Sequence, residues 1–139
     1  MKRRPATLGA LVALSSLATV GAVQPATAKP APTFSAMLSH DSSCVLTLEA
    51  KWSGAQVAQV YVMWKQDGVY RFTSAAPGTG PNGGTLRGRT AVMKTGPLAD
   101  TGTIHEWTAQ VDFYSAAGAN LASFDSNADL TTCGLTTAP

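Results

Sequence analysis

Apolar and polar residues alternate along most of the chain after position 32, which is the pattern of β-strands that bury one face. The clearest example is 44–52, where every second residue is apolar and the residues between include Glu49 and Lys51. Because successive side chains of a strand point to opposite faces of a sheet, this segment should bury one face and expose the other. No segment shows a convincing helical spacing of apolar residues.

This alternation recurs between clusters of turn residues. Asp67-Gly68 is a strong hairpin signal, and 75–84 is a loop that holds two prolines and four glycines. About seven short strands at this spacing predict an all-β, antiparallel β-sandwich. The predicted strands are 33–39, 44–52, 57–65, 69–73, 86–93, 104–114 and 121–133.

The N-terminal 28 residues have the three parts of a secretory signal peptide. Basic residues occupy 2–4, an uncharged and mostly apolar run covers 6–23, and Ala-Thr-Ala at 26–28 is a cleavage site. The apolar run is also about long enough for an uncleaved membrane anchor, which is the alternative. Its many small residues and the cleavage site favour removal, so the mature protein should begin near Lys29, without a membrane span.

The predicted organisation after cleavage is a Pro-rich leader at 29–32, a domain at 33–134 and a tail at 135–139. Three of the ten basic residues lie in the signal peptide, which leaves seven against eight acidic residues and a net charge of −1. The remaining basic residues are scattered among neutral ones. Nucleic-acid binding needs Lys and Arg clustered on one face, so we expect none.

Two cysteines, Cys44 and Cys133, lie near the two ends of the predicted domain. In an exported protein such a pair predicts a disulfide. The alternative roles of metal ligand or nucleophile lack companion residues. Closing a loop of this length stabilises a fold by roughly 4.5 kcal/mol in the chain-entropy model. We therefore expect a structural disulfide.

Several of these strands together resemble the second, third and sixth strands of a fibronectin type III domain. The matching segments are Val-Leu-Thr-Leu at 45–48 with Trp52, Val-Tyr-Val-Met-Trp at 60–64, and His-Glu-Trp-Thr-Ala-Gln-Val at 105–111 with Ala-Ala-Gly at 116–118. Trp107 stands where that family usually has Tyr, and the family typically has no disulfide. The resemblance implies an immunoglobulin-like sandwich that acts as a spacer, adhesion unit or binding module.

Two polar clusters contain residue types used in catalysis. His40, Asp41, Ser42 and Ser43 include the types of a serine-hydrolase triad, but adjacent residues on one turn cannot easily adopt its geometry. We therefore expect a polar turn there. His105 and the residue after it should be exposed strand-end residues. With two histidines in the chain, no metal site can be built from imidazoles alone.

The segment 125–129, Asp-Ser-Asn-Ala-Asp, matches the first three ligand positions of an EF-hand calcium loop. Leu130 then replaces the required Gly, and Thr136 replaces the bidentate Glu. We predict no metal site and no cofactor, with a calcium site of another geometry as the alternative.

The three tryptophans, Trp52, Trp64 and Trp107, have the apolar parity of their strands, which predicts core positions. The alternative is a surface platform for sugars.

The residues of opposite parity, which should face solvent, supply a different candidate for a binding site. If the third and sixth predicted strands pair, one exposed face carries the composition of a protein interface. Its residues are Tyr61, Met63, Lys65, Gln110, Asp112 and Tyr114.

We call these six residues the candidate binding face. Its tyrosines could instead serve only to stabilise cross-strand pairs. We expect a secreted, monomeric, non-catalytic module that binds an extracellular protein or cell-surface partner, or that serves a structural role. The alternatives are a carbohydrate-binding module, a secreted protease inhibitor and an unrecognised hydrolase. The loop at 75–84 is too rich in glycine to make a good inhibitory loop.

Overall fold

All regular secondary structure between residues 29 and 136, the part of the chain that this computed structural model describes, is β-strand. The predicted signal peptide and the last three residues of the predicted tail lie outside it. The nine strands of the described part are β1 (Thr33–His40), β2 (Leu46–Ser53), β3 (Gln59–Gln66), β4 (Val69–Ala76), β5 (Gly84–Arg87), β6 (Thr90–Lys94), β7 (Ala99–Tyr114), β8 (Asn120–Asp125) and β9 (Asp129–Gly134).

The strands form two antiparallel sheets. Sheet I has the order β1-β2-β6-β5, and sheet II has the order β4-β3-β7-β8. The long strand β7 pairs with β9 along its first part and with β8 along its last part. This arrangement confirms the predicted all-β antiparallel sandwich and is compatible with an immunoglobulin-like architecture.

The core lies between the two sheets and follows the predicted alternation. In β2 the residues at 46, 48, 50 and 52 are buried, while Glu49 and Lys51 are exposed. Sheet II contributes the matching apolar faces of β3 and β7. Burial of these side chains from both sheets is the main favourable term in the folding of the domain. The largest fully buried side chains are Trp64, Trp107, Phe113, Leu46, Leu48, Met93, Val60, Val62 and Val111.

All three tryptophans are in this core, as the sequence predicted. A buried indole N–H needs an acceptor. That of Trp64 donates to Ser74 Oγ at 2.8 Å, and that of Trp107 donates to the carbonyl oxygen of Cys133 at 2.9 Å. None of the three side chains is therefore placed to serve as a surface platform for sugars.

Two predicted strands are each divided in the structure. Residues 86–93 belong to the hairpin β5–β6, which turns at Gly88 in the left-handed conformation (φ 57°). Residues 121–133 form β8 and β9, because the side chains of Ser126 and Asn127 replace the regular ladder with bonds to other strands. The loop predicted at 75–84 is also shorter, since β4 extends to Ala76 and β5 begins at Gly84.

The predicted disulfide is present. Cys44 precedes β2 of sheet I, and Cys133 lies in β9 of sheet II, with 5.4 Å between their Cα atoms. Cys44 has a left-handed backbone (φ 60°), uncommon for a residue with a side chain. Asp41 supports this turn, since its carbonyl oxygen accepts the N–H of Cys44 and its Oδ1 accepts the N–H groups of Ser43 and Val45. The disulfide thus joins the two sheets.

Candidate functional site

The candidate binding face is assembled by the pairing of β3 with β7 in sheet II. Tyr61 lies opposite Asp112, and Met63 lies opposite Gln110. The sequence predicted the candidate binding face from this pairing. The structure brings all six side chains to the outer side of the sheet, away from the core. What the face binds stays a prediction.

Two of its tyrosines are in contact. The rings of Tyr61 and Tyr114 have centroids 5.7 Å apart at an interplanar angle of 82°. An edge-to-face arrangement suits the charge distribution of aromatic rings, so the pair helps to hold itself in place. Tyr61 nevertheless remains 39% exposed and Tyr114 is half-buried. We call these two residues the tyrosine pair.

Asp112 belongs to the same part of the face. It lies directly opposite Tyr61 in the register and two residues before Tyr114 along β7, so its side chain emerges beside both. Its Oδ1 accepts a long bond of 3.4 Å from the side-chain amide of Gln110. The tyrosine pair and a half-buried carboxylate therefore share one end of the face.

Tyr70, in β4, is a further residue of this surface, and strand alternation does not predict its position there. Strict alternation puts Tyr70 on the same side as Phe72, which stacks against the buried Trp64 ring. A β-bulge shifts the register there: Phe72 lies opposite Trp64, but Tyr70 lies opposite Lys65. One extra residue in the strand therefore turns Tyr70 outward, and its side chain is 50% exposed.

Aliphatic side chains extend the same surface toward the start of β7. Ile104 has the outward parity of β7, and Leu130 lies opposite the exposed Glu106. These two side chains are 69% and 63% exposed, respectively. The outer side of sheet I differs: it is built mainly from Ser, Thr, Glu, Lys and Arg, and Met37 is the large exposed hydrophobic residue on it. Large exposed apolar side chains are thus concentrated on sheet II.

The polar residues at the start of β7 form a network, which corrects one expectation. His105 was predicted to be exposed, but its side chain is 15% exposed. Its Nδ1 lies 2.8 Å from Asp67 Oδ2, and its Nε2 lies 2.8 Å from the hydroxyl of Thr101. The imidazole therefore ties the β3–β4 turn to β7. Strand parity puts His105 on the same side of β7 as Trp107, but it could not identify Asp67 as a partner, because Asp67 comes from a separate segment.

Asp67 is the acidic member of this network. The backbone N–H of Glu106 donates to its Oδ1, and this bond, together with the one from His105, holds the pKa of the Asp67 carboxyl below its ordinary value. Hydrogen bonds to the ionised form of a carboxyl have this effect. Asp67 and Gly68 both have positive φ, at 52° and 81°, and form the predicted hairpin turn.

Replacing Asp67 with Asn should make the free energy of unfolding less dependent on pH. Because the folded-state pKa is lowered, the ionised carboxylate stabilises the native protein at neutral pH, and this contribution is lost as the pH falls below about 4. The expected difference is less than about 1 kcal/mol at pH 7, since the carboxylate is half exposed. Asn tolerates the left-handed conformation, so the turn itself should persist.

The measurement is urea unfolding of both proteins from pH 7 to pH 2. Asp125→Asn is the matched control: it removes the same charge from an exposed residue whose side chain makes no hydrogen bond within the described residues. A loss for Asp67→Asn that stays the same at every pH would contradict this account of the carboxylate.

The polar turn at 40–43 does not assemble a catalytic triad. The His40 ring is paired with Asp129, with 2.7 Å between Nδ1 and Oδ2, and Asp41 bonds the backbone of its own turn. A serine-hydrolase triad has the same contact between an acidic residue and an imidazole, but it also needs a serine hydroxyl at the other ring nitrogen, and within residues 29–136 no hydrogen bond joins Ser42 or Ser43 to the His40 ring. His40 thus connects β1 to β9.

The side chains of the predicted calcium-like segment have structural partners. Asn127 accepts the N–H of Leu38 at 2.8 Å and donates to its carbonyl oxygen at 3.0 Å, so its amide pairs with β1 as a strand would. Ser126 Oγ accepts the N–H of Ala109, and Asp129 pairs with His40. Among the described residues, no group of three His, Cys, Asp or Glu side chains is placed to hold a metal ion.

An open cleft of about 350 Å³ lies between β4 and the loop that follows it. It is lined by 73–75 of β4 and by loop residues between 78 and 83, and none of these side chains is ionisable. The cleft adjoins the candidate binding face, because Thr73 and Ala75 lie opposite Met63 and Tyr61.

No protein-family model, no curated protein and no solved structure matches this chain. Within residues 29–136, no helix has the length and apolar character needed to cross a membrane.

Proposed function

We propose that this protein is a secreted, non-catalytic module that binds another extracellular protein through the outer side of sheet II. The observation that carries the proposal is the position of the tyrosines. The chain has three, and Tyr61, Tyr70 and Tyr114 all occupy that one surface. Tyrosine is enriched at protein interfaces because its ring buries apolar area while its hydroxyl satisfies a polar partner.

The dimensions of this surface support a protein partner. From Ile104 to Tyr114 the outer row of β7 extends for about 33 Å at the rise of an antiparallel strand. Neighbouring strands add width, and a standard interface buries roughly 800 Å² on each partner. The mainly polar outer side of sheet I offers no comparable apolar surface.

An immunoglobulin-like domain of the fibronectin type III kind is part of this proposal. If the first eight strands are lettered A, B, C, C′, D, E, F and G, the sheets have the orders A-B-E-D and C′-C-F-G, as in immunoglobulin-like sandwiches. Secretion is supported by the disulfide, which persists in oxidising compartments, and by the signal-peptide pattern at 1–28.

Affinity capture with matched variants tests the proposed function. Mature protein is immobilised as the wild type, as Tyr61→Ala/Tyr114→Ala and as Met37→Ala, and the extracellular proteins of the source organism are passed over each. We expect one protein to be retained by the wild type and by Met37→Ala, which alters an exposed apolar residue of the other sheet. The double variant should retain at least about tenfold less, as expected when interface anchors are truncated.

The captured protein is then purified and its affinity for each variant measured by calorimetry. Thermal unfolding confirms that the double variant is folded. Equal affinity for the wild type and a folded double variant would overturn the proposal, as would the absence of any specific protein partner. Retention on a polysaccharide instead would replace it with carbohydrate binding.

A further inference from the structure

We propose that the tyrosine pair and Asp112 together receive a cationic side chain, an arginine, of the protein partner. This inference rests on the proposed function and names the chemistry of its central contact. The arrangement that carries it is a half-buried carboxylate directly opposite Tyr61 and two residues from Tyr114 on the same side of the sheet.

The geometry suits a flat cation. The face of an aromatic ring is electron-rich, and it attracts a guanidinium placed over it. A carboxylate beside the ring then accepts two parallel N–H bonds from the same group. The edge-to-face contact between Tyr61 and Tyr114, with centroids 5.7 Å apart, presents two ring faces at different orientations on the side of the sheet that carries Asp112.

The charges around this position also favour a cation. Asp125 is exposed and lies opposite Gln110 on β8, one diagonal step from Asp112. Lys65, the basic residue of the candidate binding face, is four residues from Tyr61 along β3, or about 13 Å. Two carboxylates, those of Asp112 and Asp125, are therefore diagonal neighbours at the end of the face that carries the tyrosine pair.

The net charges of the two sheets also favour a cation on sheet II. The strands of sheet II contain two basic and five acidic residues, whereas those of sheet I contain three basic residues and one acidic residue. The net charges are therefore −3 and +2. An approaching basic segment is attracted toward sheet II at low ionic strength. An arginine is favoured over a lysine because its planar group can both stack and form the paired bonds.

The test uses defined peptides and locates their binding by NMR. Tetra-arginine, tetra-lysine and tetra-glutamate peptides are titrated into ¹⁵N-labelled mature protein. Tetra-arginine should shift the amide signals of Tyr61, Asp112 and Tyr114, and tetra-lysine should do so more weakly. Tetra-glutamate should leave them unchanged. Binding should weaken as salt is raised, since the contact is between opposite charges near the surface.

Variants separate this contact from general electrostatics. Asp112→Asn should weaken tetra-arginine binding about tenfold, because the charge-assisted bonds are lost. Tyr61→Phe should keep binding and Tyr61→Ala should lose it, since the ring face is the attractive element. Glu106→Gln is the matched control, because it removes the same charge six residues from Asp112 along β7, or about 20 Å away.

The inference fails if tetra-arginine shifts no signal on this face, or if Asp112→Asn and Glu106→Gln weaken binding equally. Its failure is distinguishable from failure of the proposed function. If the captured partner is lost by Tyr61→Ala/Tyr114→Ala but binds Asp112→Asn as tightly as the wild type, the interface stands and the arginine contact is wrong. If no partner is captured at all, the proposed function fails.

Discussion

Replacing Trp64 with Ala is expected to lower the free energy of unfolding by about 3–5 kcal/mol. The Trp64 side chain is fully buried, stacks on Phe72 with ring centroids 5.7 Å apart, and donates its indole N–H to Ser74. Truncation removes this apolar area, leaves a cavity between the sheets and leaves the buried Ser74 hydroxyl without the indole donor. Urea unfolding followed by circular dichroism measures the change.

Since a domain of this size has a total stability of roughly 5–15 kcal/mol, the Ala variant could fail to fold. Trp64→Phe keeps most of the ring and should cost about 1–2 kcal/mol, chiefly for the lost hydrogen bond and the smaller volume. Tyr70→Ala is the control on the adjacent strand, where truncation of an exposed aromatic ring should have a small effect. A loss for Trp64→Ala no larger than that for Tyr70→Ala would contradict the core position of Trp64.

Removing the disulfide should have the second large effect. The double variant Cys44→Ala/Cys133→Ala is expected to lose about 4.5 kcal/mol, because the bond closes a loop with a sequence separation of 89 residues. This corresponds to a fall in the melting temperature of about 20 °C. The double change avoids a free thiol, and differential scanning calorimetry gives both quantities.

The same conclusion can be checked without mutation. Thiol titration of the denatured, unreduced wild-type protein should detect no free thiol, because Cys44 and Cys133 are the two cysteines of the chain. A reducing agent should lower the melting temperature of the wild type to that of the double variant and leave the double variant unchanged. If the unreduced wild type and the double variant had equal melting temperatures, the disulfide would not stabilise the fold.

The pairing of 57–65 with 104–114 shows how much of the fold the alternation of apolar and polar residues can predict. Both segments alternate strongly, so their inward and outward residues could be assigned before any pairing was known. Once β3 pairs with β7, the six residues of the candidate binding face come together. Alternation was weaker at 86–93, where one predicted strand is the hairpin β5–β6 and a glycine with a left-handed backbone makes the turn.

Tyr70 and His105 show why the rest of the surface could not be predicted. Tyr70 faces outward because a bulge inserts one residue into β4 opposite β3, and a bulge depends on how two strands fit together. His105 is held by Asp67, 38 residues away along the chain. The bulge leaves no signal in the alternation of a single segment, and although alternation puts His105 on the same side of β7 as Trp107, it does not identify Asp67 as the partner.

The sequence by itself determined the all-β class, the disulfide, the buried tryptophans and the inward parity of the strongest strands, because these follow from side-chain period and residue type. The tertiary structure alone decided the order of the strands in the two sheets. It also decided the outward turn of Tyr70, the bonding of His105 to Asp67 and the register that sets Asp112 opposite Tyr61 of the tyrosine pair. These depend on register and on contacts between distant segments, which form only when the two sheets pack.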